Sequence, residues 1–155
     1  MAAWTPNAMS YNKAKFSPND RQRFRVAKGS WDAAADGTLD AGTADTLPII
    51  TVPANCIILS CSITVGTAET ANGTIDIGVT GTYINDDLDL YYDALPIVGT
   101  TTYANTGVGG SVFTGAGEVE VTVTATTDTA DIDIDGAQFD VYVTYVELDA
   151  QVSVN

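Results

Sequence analysis

Four carboxylates within eight residues, Asp86, Asp87, Asp89 and Asp93, and a second series at Asp131, Asp133 and Asp135 are the side chains of this sequence with the most chemical reach. Paired carboxylates can hydrolyse a glycosidic bond, one as general acid and the other as base or nucleophile. A sugar cleft also needs aromatic platforms, and both tryptophans, Trp4 and Trp31, fall outside the strands that the sequence predicts. The usual means of activating a nucleophile are missing as well. There is no His, no Gly-x-Ser-x-Gly, and no glycine-rich loop leading into a helix that could cradle phosphate. Neither catalysis nor a cofactor is expected.

Asp131, Asp133, Asp135 and Gly136 have the spacing that opens a calcium loop, in which alternate carboxylates and a turning glycine wrap one hard cation. Such a loop closes with a Glu at its twelfth position, and here that position is Tyr142. The alternative is an edge strand whose carboxylates face water, which the intervening Ile132 and Ile134 favour. The cluster Asn85, Asp86, Asp87 and Asp89 lacks even the glycine. Cys56 and Cys61 are the only cysteines, too few for a zinc site without histidine. On one regular strand their Cα atoms would lie about 17 Å apart, against roughly 4.4–6.8 Å for a disulfide, and the odd spacing would send them to opposite faces. Reduced thiols are expected.

Charge is divided along the chain. Lys13, Lys15, Arg21, Arg23, Arg25 and Lys28 are all of the cations, so residues 1–28 carry +5 and residues 29–155 carry −19. An acidic body repels nucleic acid and anionic membrane, and neither is an expected partner. The basic segment suits a carboxylate-rich surface, with Arg21, Arg23 and Arg25 on one side of an extended chain and Phe24 and Val26 on the other. Phe16 adds a second apolar anchor.

These groups must be positioned by strands, because Thr, Val, Ile, Gly and Asp dominate and helical periodicity is absent. The reading is an all-β, two-sheet antiparallel sandwich, jelly-roll-like, with an extended basic arm at residues 1–28, a connector at 29–46 and a body at 47–155. Strands are predicted at Leu47–Val52, Ile57–Val65, Thr74–Val79, Leu88–Tyr91, Ser111–Thr114, Val119–Ala125, Ala130–Asp135 and Phe139–Leu148. The last has two mostly apolar faces, as a central strand would. The first residues show no apolar core before a small-residue cleavage site, so synthesis in a cytoplasm is expected. The apolar stretch from Leu47 to Val65 alternates, as paired strands do and membrane spans do not.

Three segments carry a resemblance. The run from Ala44 to Ala68, ADTLPIITVPANCIILSCSITVGTA, the NGTIDIGVTG of Asn72–Gly81, and the closing stretch from Val121 to Leu148 together resemble head decoration (cement) proteins and related minor structural proteins of tailed bacteriophages. The basic arm and the excess of Asp depart from that pattern. The resemblance implies a compact β-sandwich on the capsid surface that binds the major capsid protein, bridges neighbouring subunits and commonly forms a homotrimer. The partner-binding residues would then be Lys13, Lys15, Phe16, Arg21, Arg23, Phe24, Arg25 and Lys28. The rival reading is a tail or fibre receptor-binding module that presents Tyr83, Tyr91, Tyr92 and Tyr103 to host glycans. A surface-layer or adhesion domain is a third reading, disfavoured by the lack of a signal-peptide pattern.

Overall fold

A computed structural model describes residues 23–40, 46–81, 87–105, 112–113, 121–127 and 133–148. Its strands are β1 (Arg23–Asp32), β2 (Thr46–Val52), β3 (Cys56–Thr67), β4 (Thr74–Gly81), β5 (Asp87–Pro96), β6 (Thr102–Asn105), β7 (Val112–Phe113), β8 (Val121–Thr127) and β9 (Gln138–Glu147). One helical turn, α1 (Ala33–Asp36), follows β1 and is started by the Asp32 carboxylate, which accepts from the Ala34 amide at 3.0 Å.

Two antiparallel sheets stack face to face. One runs β1-β9-β3-β6, with β7 also pairing with β3, and the other runs β2-β8-β4-β5. Most consecutive strands therefore fall in opposite sheets, the strand order of a jelly roll. The layer between them is filled by branched aliphatics, among them Ile58 and Ile63 from β3, Ile75 and Ile77 from β4, Val123 from β8 and Val141 from β9. At one end Leu39 and Ile134 exchange both backbone hydrogen bonds at 3.0 Å, and both side chains are buried.

The architecture is the one expected, but several boundaries move. The limit between arm and connector at residue 28 falls inside β1, so Arg23–Lys28 belongs to a sheet and not to an arm. β1 pairs along its full length with β9, from Arg23 opposite Glu147 to Asp32 opposite Gln138. Its cations and Gly29 mask a strand in the sequence. Gly29 is needed, because a Cβ there would lie 2.2 Å from Ile49 Cγ2 in the facing sheet. Trp31, expected outside the strands, is buried on β1 with its ring centroid 5.2 Å from that of Phe139. β2 begins one residue before the expected body, at Thr46. β6 had no counterpart in the sequence reading. Of the strand predicted at Ala130–Asp135, the described part makes only the single bridge between Ile134 and Leu39.

β9 lies between β1 and β3, the central place that its two apolar faces suggest. Cys56 and Cys61 share the inward face instead of opposing one another. The pairing of β3 with β9 shifts register between Ile58 and Ser60, and this bulge reverses the alternation between the two cysteines. Both are free thiols, and burial pushes Cys61 up to about 12.

Candidate interaction surface

β1 is an edge strand, and its alternation decides what it offers. Trp31 and Gly29 point inward, so Lys28, Val26 and Phe24 point away from the sandwich. Phe24 is 67% exposed and Val26 68% exposed, although both are large apolar side chains. Phe24 stands opposite Val146 of β9, which in turn stands opposite Ile57 of β3. An apolar row thus crosses three strands and ends at β1, the edge strand among the described residues.

The cations of β1 do more locally than the sequence suggested. Lys28 Nζ lies 2.9 Å from Asp140 Oδ2 and 5.7 Å from the centre of the Tyr142 ring. Ser30 Oγ donates to Asp140 Oδ1 at 2.6 Å. The Ser30 hydroxyl first, and then Lys28, hold the Asp140 carboxyl below its usual range, and Asp140 in return raises Lys28. Arg25 turns to the other side of the strand, where its Nε donates to Glu147 Oε1 at 3.1 Å. Both cations remain about half exposed, so each keeps N–H donors directed to solvent. Of the predicted partner-binding residues, Arg23, Phe24, Arg25 and Lys28 come together on β1. Lys13, Lys15, Phe16 and Arg21 lie outside the described residues.

The Asp-x-Asp-Gly segment serves a carboxylate. The Asp135 and Gly136 amides donate to Glu69 Oε2 at 3.1 and 2.9 Å, while the Thr70 amide and hydroxyl donate to Oε1 at 2.7 and 3.2 Å. Burial opposes ionisation of Glu69, but the amides of Gly136 and Thr70 outweigh it, and its pKa is held below the usual range. A backbone turned to receive an anion is poorly set to wrap a cation. Among the described residues no group of three or more His, Cys, Asp or Glu is placed to hold a metal ion. Asp131 lies outside the described residues. Nothing in the sequence pairs Glu69 with Gly136, 67 positions away.

Three of the four tyrosines proposed for glycan contact pack in or against the core. Tyr91 is buried, the Tyr92 hydroxyl donates to the Cys61 carbonyl at 3.3 Å, and that of Tyr103 donates to the Pro96 carbonyl at 3.1 Å. Tyr83 lies outside the described residues. On β5, Asp87 and Asp89 stand on one side and Leu88 between them is 39% exposed. A hydrogen bond with Asp89 pushes the Asp87 carboxyl above its usual range.

Strand order and surface together define a jelly-roll module with one edge that is basic and apolar. Its fold is shared with chains of phage capsids. A chain of the cyanophage Pam1 capsid asymmetric unit matches with a TM-score of 0.50 at 21% identity, over 81% of this chain and 86% of that one. A chain of the capsid of Ralstonia phage GP4 matches with a TM-score of 0.58 at 13% identity, over 83% and 86%. A chain of the acid-stable capsid of Helicobacter pylori bacteriophage KHP30 matches with a TM-score of 0.50 at 11% identity, over 79% and 86%. No protein-family model matches the sequence, and neither does any curated protein.

Proposed function

We propose that this chain is a decoration (cement) protein of a bacteriophage head, a non-enzymatic module that binds the outer surface of the major capsid protein shell and bridges neighbouring subunits. The observation that carries the reading is the fold, a jelly roll shared with chains from three phage capsids over about four-fifths of its length. A capsid clamp needs surface and reach, not chemistry, and β1 supplies the surface. The chain before it, about twenty residues with Lys13, Lys15, Phe16 and Arg21, could reach up to roughly 65–70 Å if extended. In this reading the arm holds the shell, the bodies cluster as a homotrimer, and the protein joins the virion after synthesis in the host cytoplasm. The fibre reading is less well supported, because three of its four tyrosines are committed to packing.

The test is co-sedimentation with undecorated shells. Because β1 begins at Arg23, the informative truncation removes residues 1–22 and spares the sheet. It should remain folded and lose most of its shell binding, with residual binding that weakens as salt rises. Full occupancy by the truncated protein would remove the arm from the mechanism. Failure of the intact chain to bind any shell, with binding on a glycan array, would replace the reading by the fibre module.

A further inference from the structure

Among the described residues four large hydrophobic side chains are exposed, and three of them, Phe24, Val26 and Leu88, lie on only two strands. Both strands are edges. Among the described residues β1 pairs only with β9, and β5 ends the other sheet beside β4. They lie on opposite sides of the body. β1 stacks over β2, as the approach of Gly29 to Ile49 shows, and β2 is the far edge of the sheet that ends in β5.

The two edges are complementary residue by residue. β1 opens Arg23-Phe24-Arg25-Val26, and β5 opens Asp87-Leu88-Asp89-Leu90. Both alternate charge with apolar side chains, and the charges have opposite sign. In an antiparallel pairing with Phe24 opposite Leu88, Arg25 falls opposite Asp87 and Arg23 opposite Asp89, with cross-strand partners about 4.5–5.5 Å apart at Cβ. Pairing β1 with a second β1 would set cations near cations and is disfavoured. The pairing of β5 with β4 steps from Ile77 opposite Tyr92 to Val79 opposite Asp87, so residues 88–91 form an irregular stretch between those two pairings, and the Asp87–Leu88 backbone packs against Gly78. Asp87 and Asp89 crowd like charge on like, and a guanidinium between them would relieve it.

We propose that β1 of one copy docks on β5 of a second copy, through Arg23, Phe24 and Arg25 against Asp87, Leu88 and Asp89. The contact is head to tail, and such contacts form a ring where the rotation between copies closes, as a trimer would require. It rests on the self-association half of the function proposed above, and not on shell binding. Arg25 can serve both its own Glu147 and the neighbour, because only its Nε is engaged with Glu147.

Light scattering of the full chain in solution tests the contact by charge exchange. The wild type should be oligomeric at tens of micromolar. Arg23→Asp with Arg25→Asp, and separately Asp87→Arg with Asp89→Arg, should each weaken association by about tenfold or more. All four changes in one chain should restore the oligomer. Circular dichroism checks the fold of each variant. Because Arg25 also holds Glu147, Phe24→Ser and the β5 reversal provide readings that leave that pair intact. If the oligomer survives both reversals, or the four-fold variant stays folded but dissociated, this contact is wrong while cluster formation stands. A wild type that is monomeric at several hundred micromolar overturns the contact and the trimer together, and shell co-sedimentation still decides the capsid reading independently.

Discussion

Replacing Glu69 by Gln removes one charge and almost no volume, and the structure indicates how much that single change should matter. The carboxylate is buried, with the Asp135 and Gly136 amides on Oε2 and the Thr70 amide and hydroxyl on Oε1. Gln offers one acceptor oxygen, so whichever side receives the NH2 group sets N–H against N–H. Hydrogen bonds to a charged group contribute about 1.5–3 kcal/mol each, and leaving a buried donor unmet costs about 1–3 kcal/mol. A loss of about 3 kcal/mol follows, equivalent to a fall in Tm of roughly 6–12 °C for a domain of this size. The pH dependence provides a second check. A carboxyl whose folded pKa is depressed stabilises the fold fully above its unfolded value, near ~4.3, and that contribution is lost as pH falls through the folded pKa. The difference in Tm between wild type and variant, measured by calorimetry, should therefore be level from neutral pH to about 5 and shrink below about 4. A variant that melts within a degree or two of wild type at pH 7 would show that Glu69 does not hold the two loops together.

Three further outcomes are expected. Deleting residues 1–28 removes six residues of β1 and uncovers one flank of β9, so in contrast to deletion of 1–22 it should lower Tm steeply or yield aggregates, as melting and light scattering will show. Gly78→Ala places a Cβ 2.0 Å from the Asp87 carbonyl oxygen and 2.5 Å from Leu88 Cα, backbone that cannot swing aside, and should destabilise by roughly 3 kcal/mol or more in urea titration. Cys61, fully buried with its thiol raised to about 12, should resist a thiol reagent at pH 8 in the native protein and react on unfolding, and rapid labelling without denaturant would contradict its burial.

The all-β class, the two-sheet sandwich and the central place of the last strand were legible in the sequence, because a period-two pattern of branched and apolar residues is a local property of the chain. The segregation of charge was equally plain. What the sequence concealed depends on neighbours far along the chain. β1 reads as an arm because Arg23, Arg25 and Lys28 look like solvated cations; only its pairing with β9 supplies Glu147 and Asp140 to hold two of them. The two cysteines reverse their relative facing because of one extra residue in a ladder, which no spacing rule announces. The Asp-rich turn lends its amides to Glu69, a residue that comes near only when the β3–β4 loop folds over it. Local periodicity decides which residues become strands. Which edge stays open, which charge is already paired and which amide meets a carboxylate are decided by long-range packing, since those groups become neighbours only once the two sheets have closed.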